Sequence, residues 1–189
     1  MEALLPEIRQ CMLCTALPLG PAPILSASRY SKIIIIGQAP GVKAHASRIP
    51  WNDTSGKRLR NWLGVTEEEF YNSDLFALIP MAFCYPGKGK GGDLPPPKIC
   101  SITWHQQLLA KIERPQLTVL VGSYAQQYYL KNNRSNLTNT VKSFRDFLPA
   151  YFPIVHPSPN SRFWLSKSPW FEKEVVPVLQ LLIQDILSG

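Results

Sequence analysis

The 189-residue sequence contains no apolar run of the roughly 18 residues that a membrane-spanning helix needs; its isoleucine run Ile33–Ile36 is only strand-sized. No basic stretch precedes an apolar one after Met1-Glu2, so no secretory leader is expected and the cytoplasm is the expected address. Acidic residues are the scarcer charge, 13 against 20 basic ones, which leaves a formal charge of +7. That deficit favours an anionic partner, nucleic acid first, although mild basicity is also common among soluble proteins. Internal repeats are absent. Cysteines number only four, but they are not scattered: Cys11 and Cys14 form a CxxC, followed by Cys84 and Cys100. Against these scarcities stand 18 prolines and a 45 % hydrophobic content that excludes a disordered chain. The length suits a single domain over residues 1–189.

The order of local patterns predicts an α/β domain. The β-branched run Lys32–Ile36, ending in Gly37, reads as a strand buried on both faces, as in a parallel sheet. Further strands are expected over Leu75–Met81, Leu117–Val121 and Tyr151–Val155. Helices are expected over residues 2–9, Thr54–Leu63, Glu67–Tyr71, Cys100–Ile112, Ser123–Leu130, Thr138–Phe147 and Trp170–Leu187, the last from its apolar spacing at Val175, Val178, Leu179, Leu182, Ile183 and Ile186. Pro86–Pro97 reads as a Gly/Pro/Lys loop without a core-forming pattern. Alternating strands and helices imply a mostly parallel four-stranded sheet. Its strand ends are where such folds place ligand sites.

Two strand-end loops carry possible chemistry. Gly37-Gln38-Ala39-Pro40-Gly41 offers a tight turn that lets backbone approach a ligand; a plain strand-to-loop turn explains it equally well. In His156-Pro157-Ser158-Pro159 two prolines fix a loop that can present an imidazole and a hydroxyl to an oxyanion; a Pro-rich turn is the alternative. Asp53, before Thr54-Ser55-Gly56, reads as a helix N-cap. The four cysteines read as buried thiols, a zinc site or an iron–sulfur site. His45 and His105 carry no supporting pattern and read as helix or surface residues.

Taken together, the GQAPG loop after the first strand and HPSP after the last resemble the two signature motifs of the uracil-DNA glycosylase superfamily. The tract Ile33–Leu63 resembles its iron–sulfur, family 4-like branch, and the resemblance runs from Cys11 to about Trp164. It implies a three-layer α/β/α sandwich around a four-stranded sheet, and a monomeric DNA-repair hydrolase acting on DNA. It also implies a [4Fe–4S] cluster on Cys11, Cys14, Cys84 and Cys100, in preference to zinc. Trp51 matches the position of the aromatic that stacks on the extruded base. His156 matches the histidine that favours the leaving base anion. Gln38 stands where that branch has Glu, and is expected to contact base or water through its amide. Asp53 resembles in position the acid of a sister branch whose first motif also lacks a carboxylate, which implies it as the carboxylate for water or the sugar cation. Gly37, Ala39, Pro40, Gly41, Asn52 and Ser158 are the expected substrate contacts. Lys88, Lys90 and Arg162 are expected to face DNA, with the Asn160–Trp164 loop inserting into the duplex. The branch carries a base-reading Asn four residues before its third cysteine; here that position is Pro80, which has no side-chain amide and no N–H. Two other readings remain: a DNA-binding damage sensor without catalysis, and a hydrolase of free nucleosides or nucleotides.

Overall fold

A computed structural model describes residues 1–131 and 133–189. Four strands, β1 (Ile33–Gly37), β2 (Phe76–Pro80), β5 (Leu117–Val121) and β6 (Tyr151–Ile154), form one sheet in the order β2-β1-β5-β6. Every pairing in it is parallel. β1 explains the arrangement most directly. In a strand successive side chains point to opposite faces, and Ile33 and Ile35 enter one hydrophobic cluster while Ile34 and Ile36 enter the other. An unbroken isoleucine run therefore needs helices on both sides.

The first face is covered by α3 (Thr54–Leu63), through Leu59, Trp62 and Leu63, and by α9 (Val176–Ser188), through Leu179 and Ile183. The second is covered by α1 (Leu4–Arg9), by the helical segment ending in α5 (Gln106–Leu109), and by α6 (Ser123–Tyr129). The result is the expected three-layer α/β/α arrangement. Shorter helices α2 (Val42–Ser47), α4 (Glu67–Tyr71), α7 (Leu137–Lys142) and α8 (Arg162–Lys167) complete the connections. The outer edge of β2 is blunted by Ser26, which exchanges two backbone hydrogen bonds with Leu78 at 3.1 and 2.7 Å. No described helix is long and apolar enough to cross a membrane.

Several expectations need correction. The Pro86–Pro97 segment is not wholly irregular: β3 (Lys88–Gly89) and β4 (Gly92–Asp93) pair as an antiparallel hairpin, Lys88 opposite Asp93. The helix expected over Cys100–Ile112 is α-helical at Cys100, passes through a π-helical stretch, Ser101–His105, and resumes as α-helix over Gln106–Leu109. The Thr138–Phe147 helix divides into α7 and a 3-10 turn at Phe144–Phe147. His105 lies on the Ser101–His105 helical stretch, one of its two expected placements, and is fully buried there. Its Nε2 lies 3.0 Å from the Pro80 carbonyl, which must accept, so Nδ1 accepts the Tyr129 hydroxyl at 2.6 Å. Burial holds this imidazole down at about 4, so it is neutral at pH 7.

Candidate functional site

The carboxyl ends of the strands open onto a cleft of about 440 Å³. It is lined by Gly37 to Gly41 from the loop after β1, Trp51 and Asp53 before α3, Pro80 at the end of β2, and His156, Ser158 and Asn160 after β6. Gly92, Asp93 and Tyr124 complete it. Both sequence motifs thus meet in one site. Asn52 is the exception among the residues expected there: it is exposed and does not line the cleft. The chain around it turns sharply to aim its neighbours Trp51 and Asp53 inward.

That turn has a visible cost. Trp51 adopts a left-handed backbone with φ of 58°, a region that disfavours bulky residues. Two glycines make room for it. A Cβ on Gly56 would stand 1.7 Å from the Trp51 carbonyl oxygen, and one on Gly37 would stand 2.6 Å from the indole. Neither is a tolerable approach, so both positions require glycine for space. The indole also packs on the hydrophobic core and lies 5.6 Å from the His156 ring, tilted by 30°. Trp51 is therefore at once a partly buried packing residue and a wall of the cleft.

Asp53 caps α3 and also lines the cleft. Its Oδ1 accepts the Gly56 N–H at 2.8 Å, capping α3. Its Oδ2 faces the cleft, 3.8 Å from where a Gly41 Cβ would lie. One carboxylate oxygen holds the helix and the other remains for a ligand.

His156 is held in one protonation state and one tautomer. Burial lowers its value to about 4, against the opposing pull of Asp53, so the ring is neutral near pH 7. Nδ1 accepts the Ser158 N–H at 3.2 Å, which leaves the proton on Nε2 as a donor. The His156–Pro159 loop is anchored twice more. The Ser161 hydroxyl donates to the His156 carbonyl at 2.6 Å, and Arg58 on α3 donates to the Pro157 and Ser158 carbonyls, each at 3.3 Å. Arg58 was not foreseen; no local pattern distinguishes it from any other helix-surface arginine.

Asp93 was also missed. The β3–β4 hairpin forms one wall of the cleft and is tied to both motif loops. Gln38 Nε2 donates to the Leu94 carbonyl at 3.4 Å, and Asn160 Nδ2 donates to the Gly91 carbonyl at 3.2 Å. The Asp93 carboxyl consequently lies beside Asp53, with its Oδ2 3.5 Å from the same point next to Gly41. Withdrawal from water and the charge of Asp53 both push the Asp93 carboxyl up, while Lys88 pulls it down. On the rim, Lys88, Lys90 and Arg162 are all exposed, and Phe163 projects with 70 % of its surface accessible. Trp164 instead packs inward and donates from Nε1 to Thr138 Oγ1 at 2.9 Å.

The four cysteines line a second, small apolar recess, together with Phe83 and Trp104. None is in a disulfide. Cys84 Sγ accepts the Ala22 N–H at 3.3 Å and Cys100 Sγ accepts the Phe83 N–H at 3.5 Å. Burial pushes the Cys100 thiol up to about 11 and raises Cys84 and Cys14. The Nε1–H of Trp104 is buried without a hydrogen-bond partner among the described residues. Among the described residues no three His, Cys, Asp or Glu side chains are gathered tightly enough for a single metal ion.

A model of the uracil DNA glycosylase superfamily matches residues 26–180, a span that holds the sheet, both motif loops and the hairpin. With that match covering most of the chain, and with the parallel sheet and its strand-end cleft in place, this chain belongs to the uracil DNA glycosylase superfamily.

Proposed function

We propose that this protein is a DNA glycosylase that draws a damaged base, uracil foremost, into the cleft and hydrolyses its N-glycosidic bond. The observation that carries this reading is the juxtaposition of a free Asp53 oxygen with a neutral His156 whose proton sits on Nε2. As the C1′–N bond breaks, the sugar becomes cationic and the base anionic. Asp53 Oδ2 lies on the side that stabilises the cation and orients a water molecule. The water oxygen bonds to C1′, and its proton passes to Asp53 or the departing base. His156 Nε2–H donates to the carbonyl oxygen on which the base anion gathers charge, and a neutral donor suits that task because it keeps its proton. Trp51 supplies an aromatic face for the base, and Gly37 to Gly41 supply backbone without intervening side chains. Lys88, Lys90 and Arg162 meet phosphates, and exposed Phe163 is placed to fill the gap left by the base.

The proposal extends to the iron–sulfur branch. Cys11, Cys14, Cys84 and Cys100 would hold a [4Fe–4S] cluster. Four thiols sharing one apolar recess, two of them accepting backbone N–H bonds, are a donor set of that kind. The cluster would supply a structural staple, tying the N-terminal CxxC to the start of the hairpin segment and to the π-helical turn. Such a cluster needs reduced thiols, which suits the cytoplasm.

One observation favours a second reading, a damage sensor without catalysis: the Gln38 amide is engaged with the hairpin carbonyl of Leu94, and so is partly structural. An excision assay separates the two. The purified chain is incubated with single- and double-stranded oligonucleotides carrying uracil, hypoxanthine or mismatched bases. Abasic product lost in Asp53→Asn supports the enzyme. Salt-dependent binding with no abasic product selects the sensor.

A further inference from the structure

Several polar groups of the cleft are already committed, while Asp53 Oδ2 and His156 Nε2 are reserved for the sugar and the leaving base. Asp53 Oδ1 holds α3, the Gln38 and Asn160 amides hold the hairpin, and His156 Nδ1 takes the Ser158 N–H. Pro80, at the end of β2, faces the cleft with no donor, and its carbonyl is spent on His105. Asp93 differs. Its carboxylate has no hydrogen-bond partner among the described residues, yet the hairpin is braced from both sides so that it lines the cleft beside Gly41. A carboxylate is an acceptor, so its natural complement is an N–H.

We infer that Asp93 reads the edge of the extruded base by accepting a ring N–H, and so selects deaminated bases. The chemistry of deamination supplies the discrimination. Cytosine N3 and adenine N1 are bare lone pairs, which a carboxylate repels. In uracil and hypoxanthine the same ring positions carry a hydrogen, which a carboxylate accepts. A group built to pair with one hydrogen-bonding pattern rejects the analogue that lacks it, because a desolvated polar group is left unmatched. This inference deepens the glycosylase reading and rests on it for the step that follows recognition.

The test is single-turnover excision from one oligonucleotide carrying uracil, hypoxanthine or N3-methyluracil, which has no ring N–H. Wild type, Asp93→Ala and Asp93→Asn are compared. Loss of one hydrogen bond to a charged group predicts that Asp93→Ala slows uracil and hypoxanthine excision about ten- to a hundredfold. The preference for uracil over N3-methyluracil should shrink by the same factor, a change that a merely structural role would not produce. Asp93→Asn keeps an acceptor carbonyl and should retain most of the rate. Unchanged rates in Asp93→Ala would overturn the inference while leaving the glycosylase reading intact, and so would equal losses in both variants. Should the wild type excise nothing, the glycosylase reading fails and equilibrium binding decides the role of Asp93. A preference for uracil- over cytosine-containing oligonucleotide that vanishes in Asp93→Ala sustains it, and no preference in the wild type refutes it.

Discussion

Acid should destabilise this fold through a histidine that never meets solvent. His105 lies under the end of β2, with Nε2–H donating to Pro80 and Nδ1 accepting from Tyr129. Its folded value of about 4 lies below the ordinary 6.5. Above pH 6.5 the ring is neutral in both states and its contribution is complete. Between 6.5 and 4 the unfolded chain takes up a proton that the folded chain refuses, so stability falls with pH across that window. Below 4 both states are charged and the loss stops. At 1.36 kcal/mol per unit, the gap makes the loss about 2 kcal/mol at pH 5 relative to pH 8. The perturbation is His105→Gln, whose amide can donate to Pro80 and accept from Tyr129 but does not titrate. Urea midpoints followed by tryptophan fluorescence at pH 8 and pH 5 supply the comparison. The wild type should lose about 2 kcal/mol more than the variant between the two pH values, the contribution of His156 being common to both. Equal losses would refute the assignment of His105 as a buried neutral imidazole.

Asp53 offers a separation of stability from chemistry. Asn caps helices as well as Asp, so Asp53→Asn should leave the urea midpoint within about 0.5 kcal/mol of wild type while lowering excision about a hundredfold or more. Asp53→Ala should lose the activity and about 1 kcal/mol of stability with it. Gly56→Ala forces a Cβ to within 1.7 Å of the Trp51 carbonyl, and a thermal melt should show a loss of about 3 kcal/mol or more together with a displaced Trp51. Because His156 is neutral down to about pH 4, its part in excision should not weaken as pH falls from 8 to 6; a rate limb near 6.5 that disappears in His156→Gln would contradict the burial assigned to the ring. Cys84→Ser should lower iron content from about four atoms per chain and lower the melting temperature, whereas unchanged iron would remove Cys84 from the ligand set.

What the sequence reveals about this protein divides along physical lines. The four strands were legible because each is a compact apolar run, and an isoleucine run can be satisfied only between two helical layers. The two motif loops were legible because glycine and proline mark strand ends. The hairpin was not: two-residue strands rich in glycine and lysine have no apolar alternation to detect. Missing it concealed Asp93, which reaches the cleft only through that hairpin and its ties to Gln38 and Asn160. Asp53 reads as a cap from its place before Thr54-Ser55-Gly56, and its Oδ1 is that cap; that its Oδ2 is left over for the proposed chemistry depends on the loop geometry. Asn52 pointed the wrong way because the left-handed turn at Trp51 cannot be anticipated from residue types that disfavour it. His105 was placed on a helix but its burial was not legible, because its partners, Pro80 and Tyr129, lie 25 and 24 residues away in sequence.

The central claim is that Asp53 and His156 act on a base drawn into the cleft. The most direct measurement is the yield of abasic DNA from a uracil-containing oligonucleotide, with wild type and Asp53→Asn assayed side by side at matched DNA occupancy. Abasic product is expected with the wild type and its near-complete loss in the variant, with DNA affinity unchanged. Tight, salt-dependent binding by both proteins with no abasic product from either, on uracil or any other lesion, would contradict it.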